Sequence, residues 1–63
     1  MIMSNDYFKR IDGPTPNGGT YAEIVFYDKD QHRCKESEAY MILINEYNKK
    51  GNLLHSTYAF ANS

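Results

Sequence analysis

A chain of 63 residues must hold itself together with one small core, and a single cysteine, Cys34, leaves this one without an internal disulfide to help. At this length folding buries only about 60% of the surface that the unfolded chain exposes. Such cores rarely contribute more than roughly 3–5 kcal/mol, and small natural domains often add a metal or a partner subunit. One domain spanning residues 1–63 is expected, with no room for a second. A lone thiol fits a reducing compartment. Met1-Ile2-Met3 gives way at once to Ser4-Asn5-Asp6, which leaves no apolar stretch for a secretory signal. The longest apolar run, Ala39 to Ile44, is far shorter than a bilayer requires. These features predict a soluble, cytoplasmic protein.

Along the chain, strand signals dominate. Residues 1–6 read as a flexible end, and Tyr7 to Ile11 as a short strand. The segment 12–19 is a Gly/Pro loop: Pro14 and Pro16 lack backbone donors, and Gly13, Gly18 and Gly19 permit positive φ. Its glycines read as a flexible lead-in to the strand that follows. Thr20 to Tyr27 is rich in β-branched and aromatic residues, with Ala22, Ile24 and Phe26 on the face expected to point inward. Tyr21, Glu23, Val25 and Tyr27 fall on the other. Asp28 to Gln31 reads as a turn, and His32 to Glu38 carries no firm signal.

The stretch from Ala39 to Tyr47 supports two readings. As a helix it begins at Ser37 as N-cap, carries Ala39, Tyr40, Leu43, Ile44 and Tyr47 on one face, and stops at Gly51. As a strand it enters a hairpin through Asn48-Lys49-Lys50-Gly51, a type I turn with Asn first and Gly last. Asn52 to Phe60 then returns beside it, with Leu54, Ser56, Tyr58 and Phe60 on one face. Periodicity alone does not choose, because Ile42, Leu43 and Ile44 suit either state.

The segment Asn45-Glu46-Tyr47-Asn48-Lys49-Lys50-Gly51-Asn52-Leu53-Leu54-His55 resembles an E-Y-D-x-x-G-N-L-I hairpin common in bacterial β-proteins, and Tyr47 to Leu53 is similar to YD-type repeats. Over a longer span, Gly18 to Ile24, Asp28-Lys29-Asp30 and Gly51-Asn52-Leu53 resemble small β-meander proteins of Gram-positive bacteria, their phages and mobile elements. That group usually has Gly where this chain has Gln31, which implies a different first turn. The resemblance implies a meander and no particular function. The expectation is an all-β fold: a small antiparallel β-meander of three to four strands with room for one short helix. The alternative is α+β, with a helix over residues 38–50.

A strand reading places Tyr40, Ile42 and Ile44 on one face and Met41 and Leu43 on the other. Strands apolar on both faces are usually covered on both. A helix folded over the sheet would supply that second cover, and so would another molecule. Six tyrosines suit an interface, since each offers apolar area and one polar handle, although tyrosines also pair across exposed sheet faces. Self-association as a homodimer, or a protein partner, is the leading expectation, with Tyr40, Ile42, Tyr47 and Tyr58 as the candidate interaction residues.

Other chemistries have weaker footing. Seven basic residues against eight acidic ones argue against general nucleic-acid binding, whose affinity comes from neutralising phosphates. A basic strip of Lys9, Arg10, Arg33, Lys49 and Lys50 around tyrosines is the alternative site. No Gly-x-Ser-x-Gly elbow accompanies Ser37, Ser56, His32 or His55, and a pairing of Cys34 with a histidine leaves little room for a substrate pocket. His32, Cys34 and His55 fall short of the four ligands of structural zinc and lack its spacing. Asp28 and Asp30 begin a calcium-loop pattern that fails where Arg33 replaces the sixth-position glycine. Gly18-Gly19 lacks the Lys-Ser/Thr of a phosphate loop. The reading is a non-enzymatic protein-interaction module without cofactor or metal. By analogy of size and charge, an inhibitor of a host or defence protein encoded by a phage or mobile element is one such module. The alternatives are a nucleic-acid-binding sheet and a structural protein that oligomerises.

Overall fold

The computed structural model describes residues 7–60. Four strands, β1 (Phe8–Asp12), β2 (Tyr21–Tyr27), β3 (Met41–Tyr47) and β4 (Leu53–Phe60), form one antiparallel sheet in the order β1-β2-β3-β4. The only other regular element among the described residues is a 3-10 turn at Glu36–Glu38. The fold is the expected all-β meander. The flexible end expected at residues 1–6 lies outside the described residues.

The helix alternative over residues 38–50 is not adopted. Ser37, its expected N-cap, sits inside the 3-10 turn, and Ala39 returns to extended backbone at φ −68°, ψ 131°. The physical reason is pairing on two sides. Met41 to Tyr47 is matched residue for residue by Tyr27 to Tyr21, while β4 covers its other edge. A helix there would leave β2 and β4 each without the neighbour that satisfies their backbone groups.

The register writes rows across the sheet. On one face the rows are Lys9–Ile24–Ile44–Thr57 and Ile11–Ala22–Glu46–His55, continued by Phe26–Ile42–Ala59. This is the covered face: the loop 13–19 lies over one end and the segment 33–39 over the other. Ala22, Phe26 and Cys34 are its buried apolar residues. The Cys34 amide donates to the Phe26 carbonyl at 3.0 Å, and Lys9 Nζ reaches Glu36 Oε2 at 3.0 Å. The opposite, open face carries Phe8–Val25–Leu43–Tyr58 and Tyr27–Met41–Phe60. No element among the described residues lies over it.

Two turns repeat one geometry twenty residues apart. After Tyr27, Asp28 Oδ1 accepts from the amides of Asp30 and His32, and the Gln31 amide donates to the Asp28 carbonyl. After Tyr47, Asn48 Oδ1 accepts from Lys50 and Asn52, and the Gly51 amide donates to the Asn48 carbonyl. Gln31 and Gly51 hold equivalent positive φ values, 67° and 84°. The first turn therefore does not differ as Gln31 implied, because the Asp28 side chain ties the same loop and a Gln side chain accepts the strain. Beyond the turns the copies diverge. Arg33 makes a single bridge to Tyr27, and the chain then leaves for the 3-10 turn.

The loop glycines are more constrained than a flexible lead-in. Gly19 donates to Thr15 Oγ1 at 2.7 Å, and a Cβ on it would stand 2.7 Å from the Tyr47 carbonyl oxygen, a backbone atom unable to yield. Two outcomes are expected in chemical denaturation. Gln31→Gly should stabilise the fold by about 0.5–1 kcal/mol, because it removes the positive-φ penalty at a position built for glycine. Gly19→Ala should destabilise it by about 1–3 kcal/mol through overpacking. A neutral Gly19→Ala would show that the loop is free to move off β3.

Candidate functional site

Glu46 organises the covered face. It is charged, is 4% exposed, and lies in the covered-face row at the loop end of the sheet, between Ala22 and His55. The loop supplies its partners: the Asn17 amide donates to Oε1 at 3.0 Å, and Asn17 Nδ2 donates to Oε2. A hydrogen bond from the Thr15 side chain is the main influence holding the carboxyl below its ordinary 4.5, with Asn17 next and the charge of His55 a smaller aid; burial opposes them. These contacts hold Pro14 and Pro16 above the sheet, because proline-fixed φ gives the loop a stiff arch.

Beneath that arch lies a cleft of about 470 Å³, the lower range of small-ligand sites. Ile11, Ala22, Ile24 and Ile44 line it from β1, β2 and β3, and Thr57 lines it from β4. Its one buried charge, Glu46, is already satisfied by the loop, so the cleft offers shape and apolar surface.

The open face is divided. Its apolar half holds the rows of Phe8 and Tyr27, ending at Tyr58 and Phe60, each 62% exposed. Its polar half holds Arg10–Glu23–Asn45–Ser56, with Ser56 Oγ donating to Asn45 Oδ1 at 2.7 Å. At that end Tyr21 stacks on Tyr47, with ring centroids 5.1 Å apart and planes 15° from parallel. The Arg10 guanidinium lies 4.0 Å over the Tyr21 ring while its Nε donates to Asp12. Burial, then the charge of Glu23, pushes the Tyr47 hydroxyl up from its ordinary 10.0.

The candidate interaction residues do not share one surface. Tyr47 and Tyr58 lie on the open face, at its polar and apolar ends. Ile42 belongs to the covered face beside Phe26. Tyr40 precedes β3, is exposed, and meets Phe60 edge to face with centroids 5.7 Å apart. Alternation along β3 separates Ile42 from Tyr47, and the register opposite Leu43 puts Tyr58 on the open face. The neighbours supplied by other strands, Phe8, Val25, Leu43 and Phe60, emerge only from the register.

The basic residues are also spread. Lys9 pairs with Glu36 on the covered face, Arg10 with Asp12 on the open one. Arg33 reaches the Tyr7 carbonyl at one end of the sheet, and Lys49 and Lys50 sit in the turn at the other. Cys34 is enclosed, and burial foremost, with the charges of Asp28 and Glu38, pushes its thiol up from 9.0. His55 lies in the Glu46 row, four residues along the strands from the Phe26 row that Cys34 adjoins, roughly 13 Å. Among the described residues no three His, Cys, Asp or Glu side chains gather as a metal site. Nor is any helix there long and apolar enough to cross a membrane.

No family model, curated protein or solved structure matches this chain. Its class is that of an open, four-stranded antiparallel sheet with one face covered by its own loops.

The depressed Glu46 pKa has a definite sign. A carboxyl lowered on folding contributes stability above its unfolded value near 4.5 and loses it as pH falls through the folded value. Denaturation midpoints measured against pH should drop more steeply below 4.5 in the native chain than in Glu46→Gln. Parallel curves would mean that the clamp does not depend on charge.

Proposed function

We propose that this chain is a non-enzymatic protein-interaction module that works as a homodimer, its open apolar face covered by the same face of a second copy. One observation carries the reading. Phe8, Val25, Leu43 and Tyr58 form an unbroken apolar row across all four strands, flanked by Tyr27, Met41 and Phe60.

Exposure, shape and charge support a second copy as the occupant: Tyr58 and Phe60 on this face are each 62% exposed. The molecule is a slab 15 Å in its shortest extent, and two such layers packed face to face make an ordinary β-sandwich. A formal net charge of −1 places little repulsion between copies. The exposed rings of Tyr58 and Phe60 would then lie in the contact, where aromatic side chains dominate binding energy.

Sedimentation velocity across a concentration series tests the reading. The expected result is a reversible dimer with little dependence on salt. Tyr58→Lys, at a position exposed in the monomer, should keep the fold by circular dichroism and weaken association at least about tenfold, equivalent to 1.4 kcal/mol. A monomer at every concentration would overturn the dimer. Steeply salt-dependent binding of a single-stranded oligonucleotide would favour the nucleic-acid alternative.

A further inference from the structure

The two edges of the sheet are protected very differently. β1 is five residues long and carries Lys9, Arg10 and Asp12, the charges that discourage a further strand from pairing. Arg33 and Cys34 extend that same edge by continuing along β2 past the end of β1. β4, at the opposite edge, has none of these devices. Its eight residues, Leu-Leu-His-Ser-Thr-Tyr-Ala-Phe from 53 to 60, include no proline, lysine, arginine or acid, and all but Ala59 are exposed. Its single irregularity is the bulge opposite Glu46 and Tyr47, which places Leu54 outside the pairing and leaves 55–60 regular. Along that regular stretch alternate amide and carbonyl groups point away from β3, a template for one more antiparallel or parallel strand.

A second, independent feature lies next to this edge. The row Lys9–Ile24–Ile44–Thr57 supplies part of the lining of the cleft beneath the proline arch, and Thr57 is its only lining residue from β4. The next position in that row would be filled by a strand paired to β4. A residue there would stand beside Thr57 at the β4 side of the cleft, about 4.8 Å further across the sheet.

We propose that the β4 edge is a strand-accepting site for an extended, uncharged segment of a partner protein, with an apolar side chain opposite Thr57 reaching over the cleft. This surface is separate from the open face, so it goes beyond the homodimer reading and stands without it. A second copy is the poorer occupant. The covered-face residues of β4 are His55, Thr57 and Ala59, and pairing β4 with itself would offer only these to the cleft. None supplies the large apolar group that the neighbouring Ile24 and Ile44 favour. Main-chain hydrogen bonds would provide the general affinity, and the alternate side chains its specificity.

Selection of a displayed library of randomised ten-residue segments against the full chain tests this. Enriched segments are expected to be uncharged, with apolar residues at alternate positions. The synthetic form of the best should slow hydrogen exchange at least tenfold in residues 55–60 and leave β1 unchanged. Thr57→Lys, which places a guarding charge on the edge, should reduce its affinity at least tenfold, and Ala59→Lys serves the same purpose if the first variant fails to fold. Failure to enrich any segment would overturn the proposal. So would charged binders, protection on β1 or the open face instead, or β4 amides already protected by the chain's own dimer. A monomeric chain that still binds the segment at β4 would overturn the homodimer alone.

Discussion

The contact between Glu46 and the loop that carries Thr15 and Asn17 governs how this small sheet acquires a covered face. A four-stranded meander is a single layer, and a layer has two faces to shield. Here one short loop, stiffened by Pro14 and Pro16, is pinned over one end of one face by a carboxylate at 4% exposure. A buried charge is costly unless hydrogen-bonded, and the loop's own donors meet that need. Gly19 makes the arrangement possible from the other side, since its bare Cα lets the loop press against the Tyr47 carbonyl. The cleft follows from that geometry.

The distribution of apolar residues gives the molecule its character. No side chain among the described residues is both large and wholly enclosed, and Phe26 and Glu46 come nearest, each at 4% exposure. Most of the apolar surface instead lies half-covered along β2 and β3, on both sides of the sheet. Such a sheet approaches the lower limit of what one chain stabilises alone. Its paired turns offset part of this through local order: Asp28 and Asn48 each tie two amides, fixing hairpin geometry before any distant contact is made.

The proposed homodimer face and the β4 edge place two kinds of recognition on one small sheet. Packing of faces relies on area and on rings such as Tyr58 and Phe60. Strand pairing at the edge relies on backbone groups, which every protein partner possesses. The charges of β1 discourage such pairing on its side of the sheet. Neither surface needs a cofactor or a strong net charge.

Much of the fold was legible because strand signals are local. β-branched and aromatic residues marked β2, the Asn48 to Gly51 turn marked the hairpin, and alternation separated Ala22, Ile24 and Phe26 from Tyr21, Val25 and Tyr27. The site was less legible. Glu46 read as part of a hairpin motif, since nothing local tells that a loop thirty residues earlier will enclose it. The twenty-residue recurrence of the turn was obscured because Gln31 stands where Gly51 does, although both adopt positive φ. Tyr40, Ile42, Tyr47 and Tyr58 suit one apolar, tyrosine-rich face when read along the chain, and register distributes them over different surfaces. By itself the sequence determined a disulfide-free, near-neutral chain of strands and turns, because backbone preference and side-chain alternation are properties of neighbouring residues. Only the tertiary structure decided which face the loop covers, which rows form and which edge stays unguarded, because pairing register and loop placement join residues distant along the chain.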